Sequence, residues 1–143
     1  MKKTISITTL FFILLLAACN KKDTAASKTQ LLTSGTWKLT AVVADDDGNG
    51  TYETDNFAGF SLCFTDNIWS FGASSVATMD EGPTKCSPTD PQTETTTWQF
   101  TQNESYLKIW NDEWKLEELT TSTLKWKEEY SGGRSALVTF TKR

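Results

Sequence analysis

Five short stretches in the second half of the chain alternate apolar and polar residues, and only one to three residues separate each stretch from the next. Side chains of a strand point alternately to its two faces, so this alternation predicts strands. Links this short permit only hairpins between antiparallel neighbours. An up-and-down antiparallel meander is therefore predicted over 93–102, 105–111, 113–120, 122–130 and 134–142.

Three further strands are predicted ahead of the meander, at 36–44, 67–72 and 74–79. An open sheet of eight strands would leave two edges unpaired, and closing the sheet removes them. We therefore expect an all-β fold, an eight-stranded up-and-down antiparallel barrel, with a helix of a turn or two only at 56–62. The interior of such a barrel is either filled by side chains or wide enough for one small ligand.

The N-terminal segment has the features of an export signal. Lys2 and Lys3 precede an apolar run at 5–16, which is too short to span a bilayer as a helix and has the length of a signal-peptide core. The run ends in Leu-Ala-Ala-Cys, which resembles a bacterial lipobox. The resemblance implies a cut before Cys19 and acylation of the Cys19 thiol. The alternative is an ordinary cysteine that follows a secretory signal.

These features divide the chain into a lipoprotein signal peptide (1–18), a flexible tether (19–30) and one folded domain (31–143). Two or three acyl chains hold a protein firmly on a membrane that it does not cross. The membrane is therefore an expected partner, reached through the lipid anchor. The expected location is the cell envelope, on the outer membrane of a diderm bacterium.

Two cysteines remain in the folded domain, Cys63 and Cys86. An even number of cysteines in an exported chain is typical of a disulfide, and the alternative is two reduced thiols. The long loop at 80–92 holds all three prolines and surrounds Cys86. A disulfide would tie this otherwise irregular loop to the rest of the domain.

Composition excludes several classes of function. Removal of the predicted signal peptide leaves 12 basic and 18 acidic residues, a net charge of −6. Nucleic-acid binding needs clustered Lys and Arg, so it is not expected of this chain. The chain has no His, which removes Ser–His–Asp triads, Cys–His pairs and His-based zinc sites. The carboxylate pairs Glu117–Glu118 and Glu128–Glu129 are interpreted as solvated exterior, because adjacent strand residues point to opposite faces. We therefore expect no enzymatic activity.

The segment DDDGNGTYETDN, at 45–56, has two interpretations. A twelve-residue calcium loop takes oxygen ligands at alternating positions and at position 12, with Gly at position 6. The matching ligands are Asp45, Asp47, Asn49, Thr51, Glu53 and Asn56, so a structural calcium ion is the one cofactor considered. The second interpretation is a hairpin turn, in which the Asp-Gly and Asn-Gly pairs supply positive φ.

Large apolar residues are predicted to fill or line the barrel. The candidates for the interior, and for ligand contact, are Trp37, Trp98, Phe100, Trp114, Leu116, Trp126 and Phe140. They share strand faces with Leu39, Ala41, Leu124, Ala136 and Val138. Trp110 is expected to be partly exposed. These side chains form either a cup for a small apolar molecule or the packed core of a filled barrel.

Two motifs resemble lipocalins, and more closely the small bacterial lipocalin-like lipoproteins. Gly35-Thr36-Trp37 matches the lipocalin G-x-W motif, whose Trp closes one end of the barrel. The segment CFTDNIWSF, at 63–71, follows the pattern C-x-x-D-[DN]-x-[YW]-x-F of the bacterial group. The resemblance implies a lipocalin barrel over 31–142 and an Arg packed across Trp37, for which Arg134 is the candidate.

Two classes of function remain open. The first, which the resemblance favours, is a membrane-anchored lipoprotein that binds a small apolar ligand inside the barrel without catalysis. The second is an envelope interaction or glycan-binding module with a filled core. Exposed Trp side chains would indicate the second class, and uptake of a hydrophobic dye would indicate the first. The oligomeric state and the identity of any ligand stay open.

Overall fold

One antiparallel sheet of nine strands forms most of the fold. The structure is a computed structural model, and it describes residues 25–143. The predicted signal peptide and Cys19 lie outside the described residues. The strands are β1 (Thr36–Asp45), β2 (Thr54–Asp55), β3 (Ile68–Phe71), β4 (Val76–Asp80), β5 (Thr93–Thr101), β6 (Tyr106–Ile109), β7 (Asp112–Leu119), β8 (Thr123–Glu129) and β9 (Ser135–Lys142). Two short helices, α1 (Lys28–Thr33) and α2 (Leu62–Thr65), pack on the sheet.

The sheet closes into a ring. From β3 to β9 each strand pairs with the next one in the chain, and β1 pairs with β3 on one side and β9 on the other. The predicted all-β, up-and-down antiparallel fold is thus confirmed, with eight strands completing the ring. The additional strand β2 pairs with the end of β1 and was not predicted, because two residues are too few to show an alternation.

A β-bulge in β1 changes which side chains enter the ring. The pairing of β1 with β9 shifts register between Leu39 and Ala41, so the side-chain alternation skips one residue there. Ala41 is consequently paired with Thr139 on the outer face, while Val42 and Ala44 are buried. The prediction that Ala41 shares the inward face of Trp37 and Leu39 is therefore wrong.

Helix α1 closes one end of the ring. Ser27 caps its N-terminus in a capping box with Gln30, so the helix includes three residues of the segment predicted as a flexible tether. Its Leu32 is fully buried, and the Leu32 carbonyl accepts a hydrogen bond of 2.8 Å from Trp37 Nε1. Trp37 itself is fully buried, at the closed end that the G-x-W resemblance implies.

The cation that packs on Trp37 comes from the end of β9. Trp37 and Lys142 are direct cross-strand partners, and Lys142 Nζ lies 5.0 Å from the centroid of the Trp37 ring. Arg134 lies beyond the opposite end of β9, where its Nε donates to the Ser131 carbonyl. The prediction that Arg134 packs across Trp37 is therefore wrong, because the register of β1 and β9 places the two residues at opposite ends of the ring.

A disulfide holds the irregular connection between β4 and β5. Cys63, in helix α2, is bonded to Cys86, with their Cα atoms 5.0 Å apart, which confirms the predicted disulfide. The connection, residues 81–92, is called the flap below. Its Thr84 amide donates to the buried carboxylate of Asp66 at 3.0 Å, so the flap is attached at two points. Both helices in residues 25–143 are too short to cross a membrane.

Candidate functional site

The interior of the ring contains an apolar cavity of about 320 Å³. This volume is at the lower end of the range of roughly 300–1,000 Å³ that is typical of small-molecule sites. The residues that line it are Leu39, Val42, Phe60, Trp69, Ile109, Trp114, Trp126, Glu128, Tyr130, Val138 and Phe140. A second apolar space, of about 240 Å³, is lined by four of the same residues, Leu39, Phe60, Trp69 and Phe140.

Three aromatic rings from adjacent strands form one wall of the cavity. Trp114 of β7 stacks on Trp126 of β8 with centroids 5.0 Å apart and an interplanar angle of 13°. Trp126 in turn contacts Phe140 of β9 at 4.5 Å. The three side chains meet because the alternation of each strand directs them to the same face of the sheet. All three belong to the set predicted to line the interior.

The other predicted interior residues lie away from the cavity. Trp98 is buried in the core with Phe71, and its Nε1 donates to the Gly72 carbonyl at 3.0 Å. Phe100 packs edge-on against Trp98, and Leu116 is half-buried. Together with Trp37 at the closed end, these side chains fill space that a ligand would otherwise occupy. The interior is thus partly filled and partly open.

The mouth of the cavity is built from a segment without strand pattern. Residues 56–66 form a 3₁₀ turn at Phe57–Gly59 followed by helix α2, where the sequence predicted a short helix. Phe60 borders both apolar spaces and is about half exposed. Phe64 borders the smaller space and is also exposed. Strand periodicity could not assign these rings to the cavity, because they are on a connection.

Glu128 faces the cavity. It is two residues from Trp126 on β8 and is the cross-strand partner of the buried Ala136, so it points to the inner face. Its neighbour Glu129 points outward and pairs with Lys127 at 3.3 Å. The interpretation of both carboxylates as solvated exterior is therefore wrong for Glu128. Glu128 lies two positions after Trp126 and four after Leu124 on the same strand, so the alternation in the sequence already indicated that it points inward.

Two neutral donors hold the Glu128 carboxylate in place. Trp126 Nε1 donates to Oε1 at 3.2 Å, and Tyr130 Oη donates to Oε2 at 2.7 Å. Partial burial of the phenol, on a residue that is about half exposed, and then its hydrogen bond to Glu128 raise the pKa of Tyr130 to about 12. Tyr130 therefore stays a protonated donor at neutral pH. The site consists of an oriented carboxylate at the edge of an aromatic cavity.

The Asp45–Asn56 segment adopts a hairpin in which its side-chain oxygens bind the backbone. The buried Asp45 carboxylate accepts hydrogen bonds from the amides of Asn49, at 3.0 Å, and Gly50, at 2.9 Å. Asp47 accepts two more from Asn49, and Asn49 Oδ1 accepts one from the Thr51 amide at 2.7 Å.

The acidic side chains of this segment do not come together as a group of three. No group of three or more acidic, His or Cys side chains that could hold a metal ion is found in residues 25–143. Glu53 and Asn56 follow as exposed residues, and their amides donate to β1. Gly48 and Gly50 have φ of 75° and 89°, as the hairpin-turn interpretation requires. Calcium binding by this loop stays a prediction, and a test is given below.

A second, more polar depression surrounds Trp110, outside the cavity. Trp110 is 41% exposed and has a φ of 54°, which is unusual for a bulky side chain. Its ring stands edge-on against Trp69, with centroids 5.4 Å apart. The depression has a volume of about 470 Å³, and its other lining residues are Ser75, Thr97, Trp98, Gln99, Lys108 and Asn111.

Comparison with known proteins identifies the family of this chain. A search of curated proteins gave no significant match. Among solved structures, the chain is similar to a lipocalin-like protein from Bacteroides uniformis ATCC 8492, with 16% identity and a TM-score of 0.47, over 79% of this chain and 99% of that one. Residues 33–126 match the family model of the lipocalin-like domain, which is more than half of the chain. The protein therefore belongs to the lipocalin-like domain family.

Proposed function

We propose that this protein is a lipid-anchored binding protein of the bacterial envelope that holds a small apolar ligand inside its ring of strands, without catalysis. The observation that supports the proposal is the cavity itself. Nine of its eleven lining residues are aliphatic or carry Phe or Trp rings, and they border a space of about 320 Å³ that is partly open to solvent. Burial of an apolar molecule against such walls contributes about 25 cal/mol per Å² of surface removed from water.

The position of the cavity suits a protein that is tethered at its N-terminus. Helix α1, which includes the last three residues of the predicted tether, packs at the end of the ring where Lys142 meets Trp37. Glu128 pairs with Ala136, near the opposite end of β9. The polar edge of the cavity therefore lies away from the point where the tether joins the domain.

Ligand binding is tested with a neutral phenylnaphthylamine dye, whose fluorescence rises in apolar surroundings. Wild-type protein should take up the dye, and Val138→Phe should lose uptake because the larger ring enters the cavity. Thr139→Phe places the same ring on the outer face of the same strand and should bind like wild type. Equal uptake by the two variants would place the dye outside the cavity and contradict the proposal.

The anchor is tested separately in cells. Labelled palmitate should be incorporated into the wild-type chain and not into Cys19→Ala, and the wild-type protein should fractionate with the outer membrane. A soluble, unlabelled wild-type protein would contradict the anchor and leave the ligand proposal standing.

A second candidate function is supported by the depression around Trp110. A half-exposed indole beside amide and hydroxyl side chains resembles the surfaces on which sugars stack, which suits a glycan-binding or interaction module. Glycans that quench Trp fluorescence in wild type and not in Trp110→Ala would support this function. Such a result would be independent of dye uptake in the cavity.

A further inference from the structure

A single charged group faces the apolar cavity. Among the eleven residues that line it, all within the described part of the chain, only Glu128 carries a formal charge at neutral pH. Uncompensated charges are costly in apolar surroundings, so a charge in such a place needs a partner. The question is whether the protein itself provides that partner.

The hydrogen bonds of Glu128 orient its carboxylate without neutralising it. Trp126 Nε1 and Tyr130 Oη each bind one carboxylate oxygen, and both donors are uncharged. Each oxygen of a carboxylate has about two acceptor positions, so both oxygens keep a position for a further donor. The carboxylate is therefore fixed in direction and able to accept from a ligand.

The nearby lysines are paired with other acids. Lys115 and Lys127 border a polar depression that Glu128 also lines, but Lys115 pairs with Glu117 and Lys127 with Glu129. Lys125, on the outer face, pairs with Glu118. None of the ion pairs found in residues 25–143 includes Glu128. The charge at the cavity is thus left without a cationic partner from the described residues.

The aromatic walls next to Glu128 favour the same kind of partner. The rings of Trp114 and Tyr130 border the cavity beside the carboxylate, and Trp114 gives only one of its two faces to the stack with Trp126. Faces of indole and phenol rings attract cations within about 6 Å of their centroids. A carboxylate-bearing ligand such as a fatty acid would instead meet a like charge, which is unfavourable.

We propose that the cavity selects small monocationic amphiphiles, in which a protonated amine or quaternary ammonium group lies against Glu128 and an apolar body fills the cavity. This inference rests on the proposed function and names its ligand class. The ammonium group would complete the charge pairing of Glu128, and the cavity of about 320 Å³ limits the size of the apolar body.

The experiment compares three probes that share one apolar body, octyltrimethylammonium, octanol and octanoate. Binding is measured by calorimetry and Trp fluorescence on the chain without residues 1–18 and with Cys19→Ser, which keeps every residue that the structure describes. The cation should bind at least about tenfold more tightly than the alcohol, a difference of about 1.4 kcal/mol, and octanoate should bind most weakly.

Two isosteric variants assign the selectivity to one carboxylate. Glu128→Gln should lower the affinity for the cation about tenfold and leave the affinity for octanol within about twofold. Glu129→Gln removes the same charge from the outer face and should bind all three probes like wild type. The comparison among probes on wild-type protein needs no variant, so it decides the inference even where Glu128→Gln folds poorly.

The outcomes separate the inference from the function on which it rests. Equal affinities for the cation and the alcohol, or equal effects of the two Gln variants, would overturn cation selectivity while octanol binding still supports an apolar carrier. If none of the three probes binds, the proposed function fails and the inference fails with it.

Discussion

Lys142 Nζ lies 5.0 Å from the centroid of the Trp37 ring and 2.6 Å from Ser34 Oγ. The ammonium group therefore joins the last strand to the first strand and to the segment that follows helix α1. In this ring the seam is where the first and last strands meet. Its contacts close the end of the ring over the fully buried Trp37.

Replacing this ammonium group should weaken the closed end. Lys142→Met keeps the aliphatic stem and loses the cation–π contact and the hydrogen bond to Ser34, so we expect the free energy of unfolding to fall by about 1–2 kcal/mol. Arg134→Met is the matched control at the other end of β9 and should change it by less than about 0.5 kcal/mol. Urea unfolding of both variants measures the difference, and an equal or larger loss in Arg134→Met would contradict the assignment.

The disulfide should contribute to stability through the flap. It joins residues that are 23 positions apart, and closing a loop of this length stabilises a fold by roughly 3–4 kcal/mol in the chain-entropy model. The double variant Cys63→Ser and Cys86→Ser should lose about this amount in guanidinium unfolding, and reduced wild type should match it. A much smaller loss would mean that the contact of Thr84 with Asp66 holds the flap by itself.

Gly82 in the flap should not tolerate a side chain. Its φ is 69°, and a Cβ atom there would lie 2.6 Å from the Asp66 carbonyl oxygen. Gly82→Ala should therefore cost about 1–3 kcal/mol of stability through backbone strain and the clash. Gly59→Ala is the control, since a Cβ there meets no atom within 4 Å. Equal melting temperatures of the two variants would contradict this prediction.

The Asp45 loop gives a prediction that decides between turn and metal site. Loss of two hydrogen bonds to a buried carboxylate should make Asp45→Ala less stable by about 1.5–3 kcal/mol, and the exposed neighbour Asp46→Ala should have little effect. As a turn, the wild-type loop should melt at the same temperature in calcium and in chelator. Calcium-dependent stabilisation that Asp45→Ala abolishes would establish the metal site instead.

Tyr130 should titrate well above an ordinary tyrosine. Its folded-state pKa is raised to about 12, first by burial and then by Glu128, against about 10 in an unfolded chain. The folded state thus holds the phenol proton more tightly, and the resulting stability is complete below pH about 10 and is lost as pH rises towards about 12.

The ultraviolet absorbance of tyrosinate, taken as the difference between wild type and Tyr130→Phe, measures this titration. Glu128→Gln should move the midpoint down, because the negative charge that disfavours tyrosinate is gone. Glu129→Gln, which removes a charge from the outer face, should leave it unchanged. A Tyr130 midpoint near pH 10 in wild type would contradict the contact with Glu128 in solution.

The sequence alone predicted the order and direction of the strands. Alternation is a local property, and links of one to three residues leave antiparallel hairpins as the only connection, so the meander of the last five strands follows from residues that are close in the chain. The pairing of Cys63 with Cys86 was predicted from the even number of cysteines that follow the predicted export signal. The identity of Trp114, Trp126 and Phe140 as inward residues also follows from local alternation.

The tertiary structure alone decided what these side chains face. The bulge after Leu39 sets which residues of β1 enter the ring, and the register of β1 with β9 brings Lys142 rather than Arg134 to Trp37. The cavity beside Glu128 depends on how far core side chains such as Trp98 fill the ring, and Phe60 closes it from a connection without periodicity. These relationships join residues far apart in the chain, and a local pattern carries no information about the distance across the ring.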